Sequence, residues 1–329
     1  MTENPKDTLS SGQKNRIFRT LLSKCLNLRA TSKLLILTSP EFQEFAESLW
    51  QRALQIASSS FLIKSPGDGP FAARRSALLR GMLHSADVAL IAGHKAPFSI
   101  KEAEWLQKQG VKLAWLACQD LSLLRRILHA DHEKMGRVSR RLADVFSIGR
   151  KLEISHENGS HLEISIDAAH GFANDGCLSR TQTAVVIPGG MADVRPKAKT
   201  ARGVLILQDT GALEGVGPVR EPLKLFFREG RLYRIEGGEP AQKFRKRFAA
   251  EGIPKKDLSY VGVGTNHRAR FGRNFIEDER AFGTVHLRIG VYSPSPASPF
   301  RNKTVLVALQ NATLTIDNHT VVEKGKICV

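Results

Sequence analysis

Few residues in this chain have the type and spacing to do chemistry, and they gather in its second half. Between Tyr260 and Gly290 the sequence reads YVGVGTNHRARFGRNFIEDERAFGTVHLRIG, which places an imidazole, His286, two residues before a guanidinium, Arg288. On a strand, residues two apart project from one face, so both would line the same surface. Upstream, VVIPGGMADVRP carries Met191 and Asp193, which face the same way if that segment is extended. A guanidinium can fork onto a carboxylate, and an imidazole with carboxylates can hold a divalent ion, but a hydrolytic or oxidative metal site needs three or more N or O donors. The remaining histidines are scattered. His161, His267 and His319, with the acids Asp193, Glu277, Asp278 and Glu279, are the candidates for completing a site around His286. On its own, Asp193 reads as a solvated loop acid. The acidic run reads as the first turn of a helix, complementing its dipole. Thr265 and Asn266 read as a turn or cap after a strand, with ligand contact as the alternative.

The elements that would position these groups fall into two textures. Residues 13–26 (QKNRIFRTLLSKCL) have helical apolar spacing, and Ser32–Thr38 (SKLLILT) is a buried strand. A helix follows from Ser39 and Pro40, with Glu41 and Glu44 in its first turns. The alternation continues through strand 60–64, helix 72–83, strand 87–92, helix 99–109 and strand 112–117, which predicts an open, mainly parallel sheet with helices on its faces. Two amphipathic helices over 120–148 lead out of it. Trp50, Trp105 and Trp115 are expected in its core. From Lys151 the chain turns β-rich, beginning with the hairpin LEISHENGSHLEISI, whose turn is Asn158-Gly159. The predicted organisation is a polar tail over 1–12, an α/β domain over 13–150 and a β-rich α+β domain over 151–329.

Composition narrows the function classes. With 42% hydrophobic residues in 329 the chain is globular, and it has no apolar run long enough to span a bilayer. It also lacks a leader-like start, so a cytoplasmic location is expected. Cys25, Cys118, Cys177 and Cys328 form no CxxC pair, which argues for reduced structural thiols and against a zinc ribbon. No Walker loop, dinucleotide fingerprint or H-E-x-x-H is present. The net charge of +17 divides into +10 over residues 1–150 and +7 over 151–329, so no single arm carries it. A nucleic-acid partner would rest on that charge alone, and the distribution points away from one.

The segment Tyr260–Gly290 resembles the aminopeptidase T (thermophilic leucyl aminopeptidase) family of metalloexopeptidases and the related 2,5-dihydroxypyridine dioxygenases, whose chains read ELGIGTN, a glycine-containing spacer, EDEK and GTVHIAIG. CLNLRATSKLLILT, HSADVALIAG, LFFREGRLYRIEGG, VVIPGGMADVRP and NATLTIDNHTVVEKGKI resemble further family segments along the chain. In the active aminopeptidases the resemblance implies two metals held by the Glu of a PxGE loop, the Glu of ELG, the His of GTVH, and an HxD pair before the final hairpin. The dioxygenases would use a His, His, Asp iron site. Carried over, these positions are Met191, Tyr260, His286, and Thr304 with Leu306. Only the histidine is kept. Tyr292 sits near a tyrosine that active members place by the metal. Arg288 replaces the family's Ala, putting fixed positive charge beside the old metal cavity; it would bind a carboxylate or pair internally with Glu277 or Glu279.

The expectation is therefore a metal-site-degenerate, aminopeptidase-like pseudoenzyme that needs no cofactor. It would bind a peptide, an acidic one given the basic surface, or another small ligand through Met191, Asp193, Tyr260, Thr265, Asn266, His286, Arg288 and Tyr292. The resemblance implies a homodimer, and a binding protein of this kind would present its ligand to a partner enzyme. The alternative is an active metallo-aminopeptidase or dioxygenase using Zn, Co, Mn or Fe on relocated ligands.

Overall fold

The computed structural model describes residues 10–64, 77–93, 100–167, 169–253, 256–291 and 303–329. The chain separates into two compact units: one is built from the chain up to His129 together with Gly176–Gly189, the other from Ala130–Asp175 and the described residues from Gly190 onward. Among the described residues no helix is long and apolar enough to cross a membrane.

The first unit is the expected parallel sheet. Helix α1 (Ser11–Thr20) opens with a capping box in which Ser10 and Gln13 satisfy each other's backbone N–H groups, and continues into a π-helical turn at Leu21–Cys25. Strands β1 (Lys33–Thr38), β2 (Ser59–Lys64), β3 (Val88–Ala92) and β4 (Lys112–Leu116) alternate with α2 (Gln43–Ala53), α3 (Ala77–Ser85) and α4 (Ile100–Lys108), and α5 (Leu121–Ile127) follows. The strand order is β2-β1-β3-β4, with Ala184–Ile187 pairing parallel to the free edge of β4. Apolar residues on β1 alternate between two cores: Leu34 and Ile36 pack in one, Leu35 and Leu37 in the other, as a sheet covered on both faces requires. The start of the helix expected over 72–83 lies outside the described residues. Trp115 is fully buried and Trp50 half-buried, but Trp105 is exposed and stacks on His84. It sits on the outer face of α4, so its expected place in the core is corrected.

The second unit begins with α6 (His132–Ile148), then β5 (Lys151–Ser155), β6 (His161–Ser165) and β7 (Gly171–Asn174); Ala184–Ile187 is β8. There follow β9 (Met191–Val194), β10 (Arg202–Leu207), β11 (Gly211–Leu213), β12 (Gly217–Val219), β13 (Leu223–Arg228), β14 (Arg231–Gly237), α7 (Glu239–Ala250) and β15 (Leu258–Gly264). The chain closes with α8 (Phe275–Asp278), β16 (Val285–Val291), β17 (Lys303–Leu309), β18 (Thr313–Ile316), β19 (His319–Glu323) and β20 (Lys326–Ile327). Among the described residues these strands form an eight-stranded sheet, β14-β13-β10-β6-β5-β18-β19-β20, and a seven-stranded sheet, β12-β11-β17-β16-β15-β9-β7. Gly159 at the tip of the β5–β6 hairpin takes the positive φ that its turn demands.

The division expected at residue 150 is displaced for a physical reason. Helix α6 packs on β7 and β9, and β7 approaches it so closely at Gly171 that a side chain there would overlap the backbone of Ala143. The helix therefore belongs with the β-rich unit, while Gly176–Gly189 leaves that unit to supply β8 to the parallel sheet.

Candidate functional site

The seven-stranded sheet has two unlike faces. Ala192, Val194, Val261, Val263, Val285, Leu287, Ile289, Val305, Val307 and Leu309 all enter one hydrophobic core. Because side chains alternate along a strand, the intervening residues share the opposite face. Met191 and Asp193 on β9, Tyr260 on β15 and His286 and Arg288 on β16 stand there together, with Thr304 and Leu306 on β17. Five of the ligand-binding residues expected from sequence thus converge on one surface, and Asp193 lies on a strand rather than in a loop.

One row of this face is decisive. Asp193, Gly262 and His286 occupy the same register on three neighbouring strands, β9, β15 and β16. The side chains on either side reach across the middle strand and meet: His286 Nε2–H donates to Asp193 Oδ1 at 2.6 Å. A Cβ at Gly262 would overlap both atoms, so the bond exists because the residue between them has no side chain. His286 is almost fully buried, and its Nδ1 is buried without a hydrogen-bond partner among the described residues. The reading of Asp193 as a solvated acid is overturned by this bond.

The adjacent row is an ion cage. Arg288 Nη2 donates to Glu279 Oε2, and Glu279 Oε1 accepts from Arg280, which also donates to the carbonyl of Ile276 at 2.9 Å. Arg288 Nη1 lies 3.5 Å from Thr304 Oγ1 and 4.0 Å from Glu214 Oε2. Burial pushes the Glu279 carboxyl up, but the charges of Arg288, Arg280 and His286 outweigh it and hold the group at about 2. Arg288, whose burial works the other way, is raised by Glu279 and Glu214. Its guanidinium is thus engaged internally by Glu279, the second of the two expected alternatives, and is not a free fork for a carboxylate ligand. Glu277 and Asp278 do lie in the first turn of the short helix α8, as expected of the acidic run, and together with Glu279 they are buried.

The other predicted residues do structural work or fall elsewhere. Thr265 shares a hydrogen bond of 2.7 Å with Ser139, and Asn266 Oδ1 accepts the N–H of Arg268 at 2.9 Å, so both fasten the turn after β15. Tyr260 is half-buried opposite Arg288 in register, and Met191 is half-buried at the start of β9 opposite Gly264. Tyr292 lies outside the described residues. His161, His267 and His319 are exposed, and among the described residues no third imidazole, thiol or carboxylate joins His286 and Asp193 at ligand spacing.

A family model for 2,5-dihydroxypyridine 5,6-dioxygenase, NicX, matches residues 17–329. The chain belongs to the 2,5-dihydroxypyridine 5,6-dioxygenase family. Its fold is similar to that of the solved 2,5-dihydroxypyridine dioxygenase from Pseudomonas putida KT2440, with a TM-score of 0.80, 18% identity and 98% of each chain covered. It is also similar to AmpT from Thermus thermophilus, with a TM-score of 0.58, 11% identity and coverage of 97% of this chain and 99% of that one. A comparison with curated proteins found no match.

Membership of the dioxygenase family implies iron, and the donor set here does not fit it. A ferrous site of the His, His, Asp kind needs three convergent ligands with open positions beside them. No residue from Lys303 to Leu309 is a histidine or an acid. On β17, Leu306 pairs with Arg288 and Thr304 with Gly290, so a hydrocarbon and a hydroxyl hold the positions that the HxD pair would fill. The Nε2 of His286 is occupied by Asp193, and the neighbouring row carries a fixed cation. Sequence reasoning found His286, Arg288 and Asp193 but missed Gly262 and Glu214. Gly262 and Gly264 in the run YVGVG were the available signal, since glycine within a strand marks a close approach. Glu214, whose Oε2 accepts the N–H of Leu306 at 3.1 Å, carries no local pattern.

Proposed function

We propose that this chain is a member of the dioxygenase family in which iron chemistry has given way to ligand binding on the polar face of the seven-stranded sheet. The observation that carries this reading is the Arg288–Glu279–Arg280 cage beside His286: fixed charges stand where mobile, exchangeable charge would be needed. Its ligand is a small hydroxylated heteroaromatic ring, in preference to a peptide, because the family model and the fold likeness with a TM-score of 0.80 both belong to 2,5-dihydroxypyridine dioxygenases. With Arg288 already engaged by Glu279, the site offers no free guanidinium fork to an acidic group on that ligand. Asp193, His286 and Tyr260 supply hydrogen-bonding groups that suit ring hydroxyls. The dimeric state of the active aminopeptidases is carried over here as part of the proposal.

A second reading is favoured by the Asp193–His286 contact: two donors already meet, and an added ligand would begin an iron site. Two measurements on one sample separate the readings. Elemental analysis of the tag-free protein is expected to find far less than one iron per chain after incubation with Fe(II). An oxygen electrode is expected to record no uptake with 2,5-dihydroxypyridine, while calorimetry detects binding of that ring. Stoichiometric iron with oxygen consumption would establish the second reading and refute the first; absence of ring binding would remove the proposed ligand class.

A further inference from the structure

The chain from Asn266 to Ala281 forms a closed loop whose ends are joined by a parallel bridge, with the N–H of Asn266 donating to Arg280 O at 2.9 Å. Its acids point inward. Glu277 Oε1 accepts the N–H of Arg270 at 3.1 Å, Asp278 Oδ1 that of Gly272 at 2.6 Å, and Asn274 Oδ1 caps Glu277 at 3.0 Å. With the backbone of 268–272 pinned to this buried acidic turn, the guanidinium side chains are left outside: Arg268, Arg270 and Arg273 are all exposed, as is His267.

These arginines differ from most others of the same unit. Arg137, Arg140, Arg202, Arg231 and Arg247 each meet a carboxylate, whereas Arg268, Arg270 and Arg273 enter no salt bridge among the described residues. Exposed aromatics accompany them, Phe275 at 40% and Phe282 at 43% exposure.

We propose that this loop is a docking surface for single-stranded nucleic acid. Guanidinium forks match phosphate oxygens, and unpaired arginines give up no internal partner on binding. Exposed aromatic rings supply stacking platforms for bases, which only a single strand leaves open to them. The loop's backbone is already fixed by Glu277 and Asp278, so little ordering is required when the partner arrives. An extended polyanion presents a phosphate to each of several exposed arginines. The net charge of +17 adds long-range attraction, but it is the presence of bare arginines and Phe275 on one braced loop, with Phe282 just past its closing bridge, that selects this partner.

The test is fluorescence anisotropy with the full chain and a labelled oligo(dT) 20-mer, a duplex of the same length and, as a base-free polyanion, heparin. Three phosphate contacts predict that affinity for the single strand falls about 20-fold between 50 and 200 mM salt. Replacing Arg268, Arg270 and Arg273 with Ala is expected to weaken binding tenfold or more, while Ala at the exposed Lys199, Lys224 and Lys246 changes it less than twofold. Phe275→Ala with Phe282→Ala is expected to weaken oligonucleotide binding about fivefold or more and leave heparin unaffected. Equal losses from the lysine and arginine triplets, duplex bound as tightly as single strand, or phenylalanine variants without effect would each overturn the proposal. All eight substituted side chains are exposed, and unchanged thermal melts show that each variant is folded.

Discussion

Replacing Glu279 with Gln removes a carboxylate shared by Arg280 and Arg288 while keeping its shape. Glu279 is 3% exposed and Arg280 1% exposed, so neither can turn to water when the charge is gone. The carboxyl's fall from 4.5 to about 2 corresponds to about 3 kcal/mol of preferential interaction with the ionised form. Removing one partner of a buried ion pair costs roughly 3–5 kcal/mol in general, so the two routes agree. Urea unfolding at pH 7 is therefore expected to show Glu279→Gln less stable by about 3 kcal/mol. The pH dependence has a definite sign: a group lowered on folding contributes stability that is present above about pH 4.5 and lost as pH falls toward 2. The gap between wild type and variant should shrink from pH 7 to pH 3. A loss under about 1 kcal/mol at pH 7, or a gap that does not change with pH, would show that Glu279 does not hold the cage together.

Asp278 should behave in the opposite sense, since burial, aided by Glu277 and Glu279, raises its carboxyl from 3.8 to about 6 against the N–H of Gly272. The wild type loses stability as pH rises through 6, and Asp278→Asn should be more stable by up to about 3 kcal/mol at pH 8 with no advantage at pH 4, as thermal melts at the two pH values would reveal. Gly262→Ala should break the Asp193–His286 bond by overlap and destabilise the protein by about 1–3 kcal/mol, with loss of the downfield imidazole N–H signal of His286 in proton NMR. Thr304→His with Leu306→Asp should bind one Fe(II) per chain only when Arg288→Ala is added, measured by elemental analysis; equal iron in the double variant would show that Arg288 does not guard the site.

Much of this was legible in the residues. Period-two runs and the turn at Asn158-Gly159 located the strands of the second unit, and the pairing of His286 with Arg288 on one face followed from spacing alone. The contacts that give the site its character were not local. Asp193 meets His286 across 93 residues and over an intervening strand, and Glu214 reaches Arg288 from a third segment. Nor does helical periodicity reveal which layer a helix will cover: α6 looked like the end of the first domain, and Gly171 beside Ala143 places it in the second. Trp105 shows the same limit, because an aromatic on an amphipathic helix can stack on a histidine at the surface as readily as enter a core.

The insertion of Ala184–Ile187 beside β4 bears on how the protein is made. Strand β4 ends at Leu116, so roughly 70 further residues must be synthesised before its edge partner exists. At about 5–20 residues per second the growing chain carries an open, apolar parallel edge for some 4–14 seconds. A fragment ended at residue 150 would keep that edge for good, and chaperone demand during synthesis should be concentrated in this interval.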